Sequence, residues 1–233
     1  MDFLKILKSF EDFVYEALIW LVLVPATLLR IVVQPRRMVV YAARELASSD
    51  EQRFGDSVSP PLLLILCVFV AHLFDLSVRH PSADASGSLA ASLLSSEQNL
   101  LLYRTIAFGV WALAGSILFT LGSGRPINRQ GLRGPFYEQC YLVAPFALVL
   151  SMATSLDLAS GGSSAVGPVS LLVATVWFWL VQIVWVRHRM QASVLRSTLA
   201  ATAILLVGAA VNVAVGYALT HEGGRGAADA AAS

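Results

Sequence analysis

Residues 136–150 read FYEQCYLVAPFALVL. Beyond Gln139 the stretch carries no charged side chain. Continued to residue 156, it supplies the roughly 20 mostly apolar residues a helix needs to cross the hydrocarbon of a bilayer. Yet it opens with Glu138, Gln139 and Cys140, and it places Pro145 near its middle. Both features suit a membrane helix. An acid in the first turn, at headgroup depth, faces the positive end of the helix dipole and costs little. A mid-helix proline removes a backbone donor and favours a kink, which neighbouring membrane helices tolerate. The expectation is therefore a span over residues 136–156 with Glu138 and Gln139 at its entrance.

The rest of the chain is of the same material. With 57% hydrophobic and 13% charged residues among 233, it departs from soluble domains, where charged residues make up about 25%. The formal net charge of +1 gives no sign of nucleic-acid binding. Four further segments are long and apolar enough to cross: residues 61–78, 101–121, 168–186 and 197–219. Turns and charges bound them, at Pro60-Pro61, GSGRP (122–126), SGGSS (160–164) and RHR (187–189). Cys67 and Cys140 lie inside apolar runs and read as small buried hydrophobes rather than a disulfide. The fold class expected is an all-α membrane protein with five transmembrane helices, preceded by a cytosolic, interfacial amphipathic region. Its parts are residues 1–59, the five-helix domain 60–220 and a disordered tail 221–233.

Orientation follows from the basic residues, which favour cytoplasmic loops. With residues 1–59 inside, only Arg79, Arg104 and Arg225 of the 16 lysines and arginines fall outside. The N-terminus is thus expected inside and the C-terminus outside.

The first 59 residues behave differently. Phe3, Ile6, Leu7, Phe10, Val14, Leu18 and Leu21 recur at helical spacing, with Asp2, Lys5, Lys8, Asp12 and Glu16 on the other side. Such a helix can lie in the headgroup region. It runs into an apolar stretch broken by Pro25 and Arg30, whose uncharged part, 17–29, falls short of a full span. An interfacial or shallow re-entrant element is expected there, rather than a sixth span. A second, shorter surface helix and a polar linker should lead to Pro60. A cleavable signal peptide is not expected, and residues 81–99, rich in Ser and Ala, read as a flexible outer loop.

Few residues inside the spans can carry chemistry. His72 and Asp75 stand three apart on one helical face, with Arg79 four residues beyond. They read either as a proton or ion site, or as an Asp75–Arg79 pair at the outer interface beside a neutral His72. Asn212 lies between Gly208 and Gly216, a spacing that lets two helix backbones approach while the amide bonds across the contact. Tyr137, Glu138 and Tyr141 complete the intramembrane polar set. Phe3 and Phe10, with Arg36, Arg37, Arg125, Arg129 and Arg133, form a candidate surface for lipid or a partner. No GxxxxGK, HExxH, CxxC pair or GxSxG motif is present, so no cofactor, metal or enzymatic activity is expected.

The order of parts, with QPRRM (34–38), SPPLLLILCVFVAHL (59–73) and PFYEQCYLVAPFAL (135–148), resembles the Yip-type family of small membrane proteins, including bacterial members labelled permeases. The resemblance implies a cytosolic N-terminal region and five transmembrane helices. The aspartate-bearing motif of the eukaryotic members has no counterpart here, so their binding of small GTPases is not carried over. Two functions follow. One is a membrane-organising or partner-binding bundle whose partners are the lipid bilayer, other membrane proteins or a second copy. The other is a permease component with His72, Asp75, Tyr137, Glu138, Tyr141 and Asn212 along a route, in which His72, Asp75 and Asn212 meet in one water-accessible cavity with Tyr141 nearby.

Overall fold

A computed structural model describes residues 2–48, 53–78 and 97–231, with side chains placed for these except at 2–4, 6, 12, 97–100 and 215–231. All regular structure among the described residues is helical: α1 (Asp2–Val33), α2 (Pro35–Ala47), α3 (Pro60–Val78), α4 (Glu97–Gly122), α5 (Arg129–Ala159), α6 (Val166–Met190) and α7 (Val194–Ala231). The five expected spans are α3 to α7. Those helices and α1 are long and apolar enough to cross a bilayer. Most of the outer loop expected over residues 81–99 lies outside the described residues, and α4 begins at Glu97.

Local signals set the helix ends. α5 starts well before Phe136, because Asn128 caps it: the Oδ1 of Asn128 accepts from the Gly131 N–H at 2.7 Å. Glu138 and Gln139 therefore stand in the third turn of α5 and not at its entrance. Between α5 and α6, Gly161 (φ 59°) and Gly162 (φ 74°) take left-handed conformations that strain other residues. Between α6 and α7 only three residues intervene, and Gln191 turns the chain at φ 50°.

α5 is the axis of the bundle. It packs most extensively on α3, then on α6 and α4, while α7 lies outside against α6 and α4. An aromatic core joins the helices. The Phe146 and Phe178 rings stack at 4.3 Å between centroids, and Trp111 sits 5.1 Å from Phe146 and 5.9 Å from Phe178. Gly208 of α7 rests on the face of Trp111, where a Cβ would overlap the indole ring. Pro145 is buried in mid-α5, one residue from Phe146.

One end of the bundle gathers the basic residues of the α2 region, the 123–128 loop and the α6–α7 link. We call it the basic end. α2 docks there on α5 and α6, burying Met38, Val39 and Ala42. The second surface helix expected before Pro60 is therefore present, as part of the bundle. α1 is a single helix that continues through Pro25, where a broken element was expected. Its described contacts are nevertheless at the basic end. The Val58 N–H donates to Thr27 Oγ1 at 3.4 Å, Arg30 donates to the Asp56 carbonyl at 3.1 Å, and Ile31 is fully buried. Glu16, Trp20 and Leu23 border a cavity closed by Arg53, Phe54, Ser57 and Leu62. At the other end of the chain, the tail expected to be disordered continues α7 as far as Ala231, consistent with the high helix propensity of its many alanines.

Candidate functional site

Polar groups in the bundle core collect on α5. Glu138 is fully buried and its side chain is 1% exposed. Its Oε1 pairs with Arg189 Nη2 at 2.8 Å, and its Oε2 accepts from the Trp185 indole N–H at 2.8 Å. Both partners come from α6. An acid expected at headgroup depth is thus sealed in protein, because α5 starts two turns early and α2 covers the same end. Arg189 is 31% exposed, so its guanidinium bridges the buried carboxylate and the surface. The Phe119 ring lies under that guanidinium at 5.1 Å.

One residue further, Gln139 and Gln182 exchange two hydrogen bonds, at 3.0 and 2.7 Å, both side chains being fully buried. Gly115 makes room for this pair, since a Cβ there would meet the Gln139 amide at 2.5 Å. The pair satisfies the groups that a membrane interior leaves without water. Tyr141 points toward the basic end: its hydroxyl donates to the Val58 carbonyl at 2.8 Å and lies 3.0 Å from Ser57 Oγ.

Asp75 belongs to a separate cluster. Arg104 Nη2 pairs with its Oδ2 at 3.0 Å, and Ser155 Oγ donates to its Oδ1 at 2.7 Å. The expected partner, Arg79, lies outside the described residues, and the partners found come from α4 and α5. His72 is buried one turn before Asp75 on the same face. Ser155 and Tyr141 are 14 positions apart on α5, or about 21 Å along the axis at 1.5 Å per residue. Asp75 and Tyr141 therefore do not share a site.

Asn212 does not bond across a helix contact as expected. Its Nδ2 donates at 2.8 Å to the Gly208 carbonyl of its own helix. The close approach expected at Gly208 is real, and its neighbour is Trp111. Phe3 and Gly216 lie outside the residues with described side chains. Phe10 is 62% exposed. Tyr137 stacks on Phe54 at 6.1 Å and lies 5.9 Å from the Arg133 guanidinium. Arg125 lies over Phe119 at 5.8 Å, and Arg129 is exposed.

The expected basic surface has a defined shape around α2. Arg36, Arg37, Val40, Tyr41, Arg44 and His188 line a cavity of about 550 Å3. Val40, Arg44 and His188 also line a second cavity of about 290 Å3, together with Val39, Ala43, Glu138 and Arg189. Burial pushes the Tyr41 phenol above its ordinary range, so it stays protonated and able to donate. The residues that sequence reasoning missed are Arg189, Trp185, Gln182, Arg104 and Ser155. All are partners on neighbouring helices, and only Gln182, an amide inside an apolar span, carried a local signal.

Among the described residues no group of three or more His, Cys, Asp and Glu side chains is arranged to hold a metal ion. In comparison with known proteins, no family model matches this chain, and no curated protein and no solved structure matches it either.

Proposed function

We propose that the chain is a non-catalytic helical scaffold of a bacterial inner membrane, Yip-like in architecture, which organises the bilayer around it or binds other membrane helices. The observation that carries this reading is where the intramembrane polar groups end. Tyr141 and Asp75 close in bonds at separate places, Asn212 bonds the Gly208 carbonyl of its own helix, and Glu138 and Gln139 are consumed by α6. A permease needs such groups to converge on a route. Meanwhile Leu199, Leu206 and Val213, spaced by seven on α7, are 63–71% exposed. They offer an apolar stripe to lipid or to another helix.

The basic end faces the cytoplasm in this reading, as the arginine distribution favours. The hydrogen bonds of Arg30 and Thr27 with Asp56 and Val58 support the role of α1 as an interfacial foot at that end.

Photo-crosslinkers placed singly at Leu199, Leu206 and Val213, in native membranes, test the function. The scaffold reading expects adducts of discrete mass, to a second copy or to another membrane protein. Adducts to lipid alone, together with solute flux through proteoliposomes that falls in Asp75→Asn, would overturn it in favour of a permease.

A further inference from the structure

The groove between α2 and the last turn of α6 has properties that a general basic surface lacks. Its two cavities share Val40, Arg44 and His188 in their walls. Arg36, Val40 and Arg44 follow one another at four-residue spacing, so a single face of α2 presents two guanidiniums to the same space. Arg37 enters it from the first turn, its Nη1 donating at 2.9 Å to Gln34 Oε1.

Glu45 and Asp56 lie close enough to act electrostatically on Tyr41, but neither is paired with a groove arginine. Among the described residues Arg36 and Arg44 make no hydrogen bond or ion pair, and the acid on the groove wall, Glu138, is already paired with Arg189. Arg36, Arg37 and Arg44 thus line the cavity without a carboxylate bonded to any of them among the described residues. The backbone that carries them is fixed, because Met38 and Ala42 on the opposite face of α2 are buried in the bundle.

Depth identifies the ligand. α6 has 25 residues, about 37 Å at 1.5 Å per residue, against a hydrocarbon thickness of about 30 Å. His188, in the last turn, therefore lies at the headgroup level. Val39, Val40 and Ala43 give the same groove an apolar wall. A phosphate held there by arginines leaves its glycerol and acyl chains against valine and alanine.

We propose that this groove binds the phosphate of an anionic phospholipid, with Arg36, Arg37 and Arg44 as its ligands and Tyr41 and His188 as flanking donors. The proposal rests on the membrane placement of the scaffold reading and is independent of its partners.

The test uses the full chain in nanodiscs of phosphatidylglycerol or of phosphatidylcholine, with lipid retained on transfer to the gas phase counted by native mass spectrometry. Phosphatidylglycerol should be retained in preference to phosphatidylcholine. Arg36→Gln and Arg44→Gln should each weaken that retention about fivefold, the loss expected for one arginine near an anionic surface. Arg129→Gln, at the same end but outside the groove, should leave it unchanged. Both groove arginines are exposed, so folding is preserved, and a melting curve for each variant checks this. Equal retention of the two lipids, or equal losses from Arg129→Gln and Arg44→Gln, overturns the proposal. Competition by millimolar inorganic phosphate that removes the lipid preference assigns the groove to free phosphate and overturns the lipid source. Displacement of the lipid by an acidic peptide, at a concentration where phosphate has no effect, overturns it in favour of a protein ligand.

Discussion

At the scale of the residue, Glu138 and Arg189 are not equivalent partners. The Glu138 side chain is 1% exposed, while the arginine is 31% exposed and has a long apolar stem along which it can reach solvent. Removing the arginine strands a buried charge, which costs about 3–5 kcal/mol. Removing the acid leaves an arginine that can move outward. Arg189→Ala should therefore lose about 3–5 kcal/mol in detergent unfolding, Glu138→Gln clearly less, and the double variant should recover part of the Arg189→Ala loss. Identical losses from the two single variants would contradict this account. The glutamine pair obeys a related asymmetry. Gln139→Leu alone leaves the Gln182 amide buried and unpaired, at about 1–2 kcal/mol, whereas Gln139→Leu with Gln182→Leu removes both needs at once. The expected cycle is non-additive, the double variant melting above either single one. Neither pairing was legible in the sequence. Arg189 reads there as one more charge of a cytoplasmic loop, and its distance from Glu138 depends on which helices are neighbours.

At the scale of the element, α7 is held where small residues let it approach α4. Gly208 has no side chain because the indole of Trp111 occupies that space. Gly208→Leu must push α7 off the aromatic core, and we expect a loss of about 1–3 kcal/mol or more in detergent, typical of overpacking. Adding Trp111→Ala to Gly208→Leu should restore part of it, since the new side chain then has a cavity to enter. A melting curve for Gly208→Leu that matches the parent would remove this contact from the account. This feature was legible, because small residues spaced by four in an apolar segment mark a packing face. The same spacing misassigned Asn212, whose amide bonds its own helix at Gly208. A polar side chain inside a helix has a carbonyl four residues back always within reach. The start of α5 differs as well: the apolar run begins at Phe136, but the Asn128 cap precedes it and the helix passes through Gly134 and Pro135.

At the scale of the whole molecule, the class of fold was legible because a bilayer imposes a length. Five apolar runs bounded by arginines or glycine turns became α3 to α7, each extended at one or both ends. The first helix was harder to read because Pro25 and Arg30 interrupt an apolar run without stopping a helix. α1 is long enough to cross over Leu7–Val33. However, its middle borders one cavity with Arg53 to Leu62 at the mouth of α3, and Thr27 and Arg30 bond to Val58 and Asp56 there, whereas a crossing helix would run alongside the middle of α3. Single cysteines in a chain with Cys67 and Cys140 replaced decide between these arrangements. Labelled with a membrane-impermeant reagent, Ser9 and Ser123 should react from one side, and Ser163 and Ser233 from the other. Ser9 reacting together with Ser163 would mean that α1 crosses and the molecule has six spans. A cysteine at Asp75 completes the experiment, because that position is sealed between Arg104 and Ser155. Silence there, with the loop sites reacting as expected, is the behaviour of a packed scaffold. Rapid labelling at that position would place water between Arg104 and Ser155 inside the end of the bundle, as the permease reading expects.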